Sequence, residues 1–227
     1  MIPKSHKLHN RIPPQGYQDG PRIRGKKVNI TGVILAAGTS SRMGSANKLL
    51  LKYREHTIIE ETLVQMSNSR VDNILIVTGY ESTQIEKLLS GRVNDRVRLI
   101  YNPNYLQGRA ESIKIAICHI ADEAGAALFM VADKPGVTSD LINRAIDQYK
   151  QILPAILYVD TPTGRGHPIV FSSALFNDLL SLEGDRVGNE LVSRYEADVA
   201  KLMDQTQQID IDDESDYLMA LQYGADR

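Results

Sequence analysis

The sequence predicts an α/β fold, a Rossmann-like three-layer α/β/α sandwich around a mostly parallel sheet. Three observations support this prediction. From Val28 onward, short aliphatic and β-branched runs alternate with longer amphipathic stretches, which is the pattern of crossover units. The length of 227 residues suits one α/β domain, and its 42% hydrophobic and 24% charged residues are ordinary for a globular protein. No repeat or linker divides residues 29–227, which we interpret as one domain.

The predicted strands are short runs rich in aliphatic residues, at 29–35, 73–78, 97–101, 127–131, 155–159 and 168–171. The predicted helices are amphipathic stretches at 58–67, 83–89, 110–121, 139–150 and 173–180. Towards the end of the chain, the pattern predicts helices over 185–194 and 215–221 and a short strand over 208–211. Because open α/β sheets bind ligands at the carboxyl ends of their strands, we expect the functional residues in the loops that follow the strands.

Charge and cysteine content exclude several classes of protein. The formal net charge of −2 argues against a general nucleic-acid-binding protein. The single cysteine, Cys118, excludes an internal disulfide and a cysteine-rich zinc site, and it favours a reducing, cytoplasmic location. The longest apolar run, residues 126–132, is far shorter than the about 20 residues of a membrane-spanning helix, so we expect no membrane partner. The N-terminus also lacks the continuous apolar stretch of a secretory signal.

Residues 1–28 differ in character from the rest of the chain. They contain seven Lys or Arg residues and one acidic residue, together with several prolines and glycines and no hydrophobic periodicity. We interpret them as a flexible basic N-terminal extension. The alternative is a basic arm that contacts nucleic acid or an acidic partner.

The loop after the first predicted strand carries two cations, Arg42 and Lys48, in a segment of small residues and glycines. Backbone N–H groups in such a loop can turn towards an anion, and a forked Arg beside a compact Lys suits a polyphosphate. The loop is not a P-loop, because Ser45 rather than Lys follows Gly44, and the dinucleotide fingerprint is also absent. The alternative interpretation is a glycine turn with two surface cations.

The complete string resembles the signature loop of nucleotidyltransferases with the nucleotide-diphospho-sugar transferase fold. Leu-Ala-Ala-Gly at 35–38, Ser-x-Arg-Met-Gly at 40–44 and Lys-Leu-Leu at 48–50 most resemble the molybdenum-cofactor cytidylyltransferase family. The resemblance implies that Arg42 and Lys48 are catalytic cations that neutralise the phosphates of a nucleoside triphosphate. It also implies that this nucleotide is bound by Leu35, Ala36, Ala37, Gly38, Ser40, Arg42 and Lys48. The Ala-Ala-Gly form is associated with cytosine rather than guanine nucleotides.

A carboxylate, Asp133, comes after the apolar run 127–131, separated from it only by Ala132. A carboxylate at the end of a buried strand is costly unless it is paired, hydrogen-bonded or bound to a metal. Mg²⁺ prefers one or two carboxylates together with substrate phosphate oxygens, so we interpret Asp133 as a Mg²⁺ ligand. The alternative is a strand-end turn built from Asp and Pro. The resemblance supports the metal, because relatives have Gly-Asp-x-Pro here, although Ala132 and Lys134 depart from the usual glycine and glutamine.

A second candidate metal ligand is Asp185, in the segment Gly184-Asp185-Arg186. Its position before a predicted helix is also typical of an N-terminal cap. The resemblance implies a second acidic ligand or a substrate contact from this region, although Val187 stands where relatives usually have glycine. The segment 209–217 resembles the closing strand and helix of the family, and we interpret it as structural.

Three other loops complete the predicted site. Thr78 and Gly79 end a predicted strand and are expected near the nucleotide. Residues 102–113 resemble the family's Asn-Pro…Gly-Met-x-x-Ser segment, which implies that Gly108 and Ser112 line the base and ribose side, with Arg109 in place of methionine. The string Gly-His-Pro at 166–168 resembles a segment that borders the acceptor pocket. It implies substrate-binding roles for Gly166 and His167 rather than an obligatory proton transfer.

The resemblance as a whole implies an enzyme that transfers CMP from CTP to a phosphate acceptor, with Mg²⁺ as cofactor and release of pyrophosphate. The implied acceptor is the molybdopterin form of the molybdenum cofactor, and a molybdoenzyme is a further implied partner. Two alternatives remain open. One is a sugar- or polyol-phosphate nucleotidyltransferase, and the other is a non-catalytic carrier or chaperone for the molybdenum cofactor.

Overall fold

A computed structural model of the chain describes residues 28–43, 47–120, 124–184 and 187–225. The predicted extension over residues 1–28 lies outside the described residues, apart from Val28. None of the helices in these ranges is both long enough and apolar enough to cross a bilayer.

A seven-stranded sheet forms the centre of the protein, and six of its strands run parallel. In chain order the strands are β1 (Asn29–Ala36), the hairpin pair β2 (Lys52–Tyr53) and β3 (His56–Thr57), β4 (Asn73–Thr78), β5 (Val97–Tyr101), β6 (Ala124–Val131), β7 (Ile156–Thr161), β8 (Gly164–Ser172) and β9 (Val199–Met203). The order across the sheet is β5-β4-β1-β6-β8-β7-β9, while β2 and β3 pair separately. The predicted fold class is confirmed.

Strand β8 is antiparallel to both of its neighbours, β6 and β7. Its first residues therefore lie at the edge of the sheet where the parallel strands end. This reversal brings Gly166 and His167 to the side of the sheet that carries the loops after β1, β5 and β6.

Helices cover both faces of the sheet. They are α1 (Ile58–Ser67), α2 (Ser82–Leu89), α3 (Arg109–His119), α4 (Ser139–Ile152), α5 (Phe176–Leu180), α6 (Val187–Arg194) and α7 (Glu214–Ala225). Successive residues of β1 point to opposite faces, as in any strand. Ile34 packs in the core cluster formed with α1, α2, α4 and α7, whereas Val33 packs in the cluster formed with α3, α5 and α6. The two cores create the predicted three layers.

The predicted strand over 208–211 is wrong. These residues form an extended segment outside the sheet, and the edge strand is β9. The apolar and polar residues alternate here with period two, but burial does not follow them, because Gln208 and Ile211 are buried and Ile209 is only partly so. The backbone of the segment bonds to a loop instead of a strand, since Ile211 N donates to Asp133 O at 3.1 Å.

Candidate active site

An acidic cluster lies at the carboxyl ends of the strands. Asp133 follows β6, and Asp210 and Asp212 come from the segment before α7. Each of the three offers a carboxylate oxygen, and these oxygens all lie within 4.8 Å of one another. The backbone bond between Ile211 and Asp133 holds the two parts of the chain together at this point.

Two cations of the first loop contact this cluster. Lys48 Nζ lies 2.7 Å from Asp133 Oδ2 and 3.2 Å from Asp212 Oδ1. Arg42 Nη1 lies 2.7 Å from Asp212 Oδ2. The Lys48 side chain is 11% exposed and that of Arg42 is 68% exposed, so the lysine is built into the site and the arginine reaches it from solvent. The residues singled out in the first loop are thus brought to the predicted metal ligand.

The local structure of the first loop holds Lys48 in place. Ser40 adopts a left-handed backbone conformation (φ 53°), and its hydroxyl accepts a hydrogen bond from Lys48 N at 3.2 Å. Asn47 caps the short helical turn Lys48–Leu50 by accepting from Leu49 N at 3.1 Å. Asparagine is a good cap because its side chain satisfies a free N–H group at the start of the turn.

The charges of the cluster are balanced only in part. Burial acts to lower the pKa of Lys48, but the carboxylates of Asp133 and Asp212 outweigh it and raise that pKa above its ordinary value. Burial and the neighbouring Asp133 carboxylate raise the pKa of Asp210. Lys134 Nζ, 3.6 Å from Asp210 Oδ2, offsets part of this repulsion. The ammonium groups of Lys48 and Lys134 therefore neutralise part of the negative charge of the three neighbouring carboxylates.

The donor set fits a divalent cation. Asp133 Oδ1 is buried and has no hydrogen-bond partner among the described residues. An unpartnered buried carboxylate oxygen is costly, and hard cations such as Mg²⁺ take oxygen ligands of this kind. Asp133, Asp210 and Asp212 are the residues that could hold such an ion. A divalent cation there would give the free oxygen of Asp133 a partner.

Asp210 and Asp212 were not among the predicted ligands, because the segment 209–217 resembles a purely structural part of the family. The alternation Asp-Ile-Asp is the signal that could have identified them, since it allows Ile211 to be buried while the two flanking carboxylates reach the same side. Asp185, the predicted second ligand, lies outside the described residues. The further carboxylates beside Asp133 in the described part of the chain come from another segment.

A cavity of about 380 Å³ adjoins the acidic cluster, and Asp133 lines it. Six of the predicted site residues line the cavity, namely Leu35, Ala37, Gly38, Gly108, Ser112 and Asp133. Tyr105, Leu106 and Arg109 complete the opposite wall. The loops after β1, β5 and β6 thus enclose one space next to a possible metal position, which suits a nucleotide whose phosphates face the carboxylates.

Other predicted residues lie behind the cavity instead of on its wall. Ala36 is 1% exposed, and the buried Thr78 hydroxyl donates to Ile100 O at 3.4 Å. A Cβ atom at Gly79 would lie 2.6 Å from Tyr105 Cβ and 2.8 Å from Ala37 Cβ. Gly79 therefore allows the two loops that line the cavity to approach each other closely. Gly79 would therefore affect a ligand through Tyr105 and Ala37, which line the cavity, and not by touching the ligand itself.

Gly166 and His167 contact Gln208 in the segment that carries Asp210 and Asp212. A Cβ atom at Gly166 would lie 2.7 Å from Gln208 Oε1, so only glycine leaves room for that side chain. His167 N donates to Gln208 Oε1 at 2.7 Å, and Gln208 Nε2 donates to His167 O. The His167 ring bonds Phe129 O through Nδ1 at 3.2 Å. Both residues position the acidic segment, and the His167–Pro168 peptide bond is cis.

His167 should make folding stability depend on pH. Burial, followed by the charge of Lys134, lowers the pKa of His167 from 6.5 to about 4. The unfolded state binds the proton first, so the contribution to stability is complete above about pH 6.5 and is lost as the pH falls towards 4. We expect the free energy of unfolding to drop by about 1–2 kcal/mol between pH 7 and pH 5 through this group. Measured by urea unfolding, the free energy of unfolding of His167→Asn should fall less than that of the wild type between pH 7 and pH 5. The control His119→Asn, at an exposed position, should show the same fall as the wild type.

Comparisons with known proteins identify the family of this chain. A family model described as the MobA-like NTP transferase domain matches residues 32–199. The molybdenum cofactor cytidylyltransferase of Escherichia coli K12 is 31% identical over 142 residues, which are 62% of this chain and 68% of that protein. The nicotine blue oxidoreductase of Paenarthrobacter nicotinovorans is 26% identical over 186 residues, covering 77% of this chain and 86% of that protein.

Solved structures show the same architecture. The crystal structure of Rv0371c from Mycobacterium tuberculosis H37Rv has a TM-score of 0.77 and 28% identity, covering 86% of this chain and 98% of that one. A complex of Rv0371c with manganese has a TM-score of 0.72 and 26% identity, with coverage of 87% and 100%. The same fold therefore extends over most of the chain.

Proposed function

Because the chain belongs to the MobA-like NTP transferase family, it is a nucleotidyltransferase, and we propose that it transfers CMP from CTP to a phosphate-bearing small molecule. The observation that carries the proposal is the contact of Lys48 with Asp133 and Asp212 beside the cavity. A cation and a carboxylate cluster beside one cavity are what a metal-bound triphosphate requires.

The proposed reaction is an in-line attack of an acceptor phosphate oxygen on the α-phosphorus of CTP. The new P–O bond forms as the bond to the β-phosphate oxygen breaks, and pyrophosphate leaves with that electron pair. Such a transfer needs little covalent help, so positioning and charge stabilisation supply most of the catalysis. In this proposal Lys48 and Arg42 stabilise the charge that grows on pyrophosphate.

Asp133, Asp210 and Asp212 are the proposed holders of a divalent cation, with Mg²⁺ as the physiological candidate. When bound, the ion neutralises phosphate charge and orients phosphate oxygens. The manganese complex of Rv0371c supports a divalent cation in this family. In this proposal the three carboxylates hold the cation, and Lys48 helps to position the phosphates.

CTP and a molybdopterin acceptor are the finer parts of the proposal. The Ala-Ala-Gly sequence and the cavity position of Ala37 and Gly38 support a cytosine nucleotide. The similarity to the E. coli molybdenum cofactor cytidylyltransferase supports the acceptor. We further propose that the product passes to a molybdoenzyme in the cytoplasm. The cation and carboxylate set argues for catalysis over a passive carrier, because a carrier has no need of phosphate-activating charge.

Pyrophosphate release tests this proposal directly. The purified full chain is mixed with Mg²⁺, one of CTP, GTP or UTP, and either molybdopterin cofactor or a panel of sugar and polyol phosphates. We expect release with CTP and the molybdopterin cofactor, and mass analysis should show the cytosine dinucleotide product. Release with a sugar or polyol phosphate alone would assign the alternative acceptor class. Tight binding of the cofactor without pyrophosphate release would contradict the enzymatic proposal and favour a carrier.

A further inference from the structure

A second cavity, of about 230 Å³, lies between α1 and α7, next to the start of α4. Its walls come from the turn between β2 and β3, from α1, from the loop after β6, and from α7 with the segment before it. The cavity of about 380 Å³ beside the acidic cluster shares none of its described lining residues with this one. The proposed CMP transfer does not use the second cavity, so a ligand there would belong to a different site.

A buried carboxylate, Glu61, lines the second cavity. Glu61 is 5% exposed, and its Oε1 accepts a hydrogen bond from Gln65 Nε2 at 2.8 Å. Gln65 Oε1 accepts in turn from Ser139 N at 2.8 Å, which fixes the amide with its NH₂ group towards Glu61. Within the ranges that the structure describes, Glu61 forms no ion pair. A carboxylate has about four lone-pair sites, so one amide leaves most of its hydrogen-bonding capacity unused.

The charge of Glu61 dominates the inside of this cavity. A buried carboxylate without an opposite charge is costly, and a bound cation would supply that charge. Arg54 also lines the cavity, but it is exposed, with its guanidinium carbon 5.4 Å from the centroid of the Tyr53 ring. Solvent screens an exposed charge far more than a buried one, so the cavity attracts a positive group more than Arg54 repels it.

The remaining wall selects the kind of cation. Glu61 is the one carboxylate in the described lining, whereas divalent metal ions take several oxygen ligands, so an inorganic ion fits poorly. Ile209, Ala220 and Tyr223 also line the cavity, and walls of this kind contact the carbon atoms of an organic ligand. The volume is smaller than the about 300–1,000 Å³ of pockets for drug-sized molecules, which limits the ligand to about the size of one side chain.

We propose that the second cavity is a binding site for a small organic cation of the alkylguanidinium class, with the guanidinium paired to Glu61. A guanidinium can donate two parallel hydrogen bonds to one carboxylate, and Glu61 has lone pairs for both. Its alkyl chain contacts the aliphatic and aromatic side chains of the wall. The site requires neither a nucleotide nor the proposed reaction.

Titration of the purified full chain with n-propylguanidinium, followed by ¹H–¹⁵N NMR, tests this site. The neutral n-propylurea has nearly the same shape and serves as the matched probe. We expect saturable binding of n-propylguanidinium, at least about tenfold tighter than that of n-propylurea, because opposite charges attract strongly at a buried position. The largest amide shifts should fall in residues 135–138, residues 207–209 and α7, which line the cavity.

Two variants test where the cation binds. Glu61→Gln removes the charge but keeps an oxygen that can accept from Gln65, and it should weaken n-propylguanidinium binding at least about tenfold. Gly136→Leu keeps the charge and should weaken binding by narrowing the cavity. Gly136 lines the cavity, and a Cβ atom there would meet no heavy atom within 4 Å, so we expect this variant to fold. Two controls, Glu86→Gln on the surface of α2 and Asp210→Asn in the acidic cluster, should leave binding unchanged.

Several results would overturn this inference without touching the proposed function. One is the absence of saturable n-propylguanidinium binding to the folded wild type, and another is equally tight binding of n-propylurea. Unchanged binding in a folded Glu61→Gln protein also overturns it. Loss of binding in Asp210→Asn with no change in Glu61→Gln would place the cation in the acidic cluster instead. If Glu61→Gln does not fold, the comparison of the two probes and the Gly136→Leu variant decide the outcome.

Discussion

Asp133→Asn is expected to lower kcat for pyrophosphate release by a factor of roughly 10²–10³ or more. The substitution keeps the shape of the side chain but removes the charge that faces Lys48 and the other two carboxylates. Asp133 belongs to both the cavity wall and the acidic cluster, so we expect it to hold the proposed cation next to the phosphates. Steady-state kinetics with CTP and the acceptor give the change in kcat. Calorimetric titration with Mn²⁺ should show weakened metal binding in the same variant.

The lower kcat of Asp133→Asn should come from the lost charge in the site and not from unfolding. Asp133 Oδ1 has no partner among the described residues, so the folded state gains little from that oxygen. Asp140→Asn is a matched control, because Asp140 lies on the surface of α4 with its side chain 82% exposed. Circular dichroism should show both variants folded. Near-normal turnover in a folded Asp133→Asn protein would contradict the assignment of Asp133 as a metal ligand.

The fold could be predicted because each buried strand carries its own local signal. The runs at β1, β4 and β6 are mostly apolar, as expected for parallel strands covered on both faces. The position of Asp133 at the end of a buried strand was visible for the same reason, because only Ala132 separates it from such a run. In each of these cases the neighbours that decide the structure are close in sequence.

The acidic segment before α7 could not be predicted in the same way. Its conformation depends on contacts far away in sequence, since Gln208 is held by the start of β8 and Ile211 N bonds to Asp133 O. A period-two pattern of aliphatic and acidic residues is equally compatible with an edge strand, which is why a strand was predicted there. Only the tertiary structure shows that Asp210 and Asp212 face Asp133.

Lys134 shows how a departure from the family pattern can be compensated. It stands where relatives usually have glutamine. The structure places its ammonium 3.6 Å from Asp210, with Lys48 occupying the Oδ2 side of Asp133. The two lysines therefore divide the carboxylates between them. The effect of removing a lysine therefore depends on which carboxylates it contacts.

Lys48→Met should change catalysis and metal binding in opposite directions. In catalysis, the loss of a cation beside the departing pyrophosphate should lower kcat by a factor of roughly 10²–10³. In the nucleotide-free protein, the ammonium lies 2.7 Å from Asp133 Oδ2 and 3.2 Å from Asp212 Oδ1, so it competes with a divalent cation for the same oxygens. Its removal should strengthen Mn²⁺ binding about tenfold or more, because an interaction between close charges at a partly buried site amounts to several kcal/mol.

Titration of the nucleotide-free protein with Mn²⁺, followed by electron paramagnetic resonance, measures the second effect. Lys52→Met makes the same substitution four residues away, where the ammonium is bound to Glu55 O on the surface, and should leave both kcat and metal affinity unchanged. A Lys48→Met protein that binds Mn²⁺ more weakly than the wild type would show that the lysine supports the metal site. If Lys48 had a merely structural role, its removal would lower kcat and metal affinity together. A lower kcat combined with a higher metal affinity would instead identify an ammonium that leaves the carboxylates when the cation binds and moves to the phosphates.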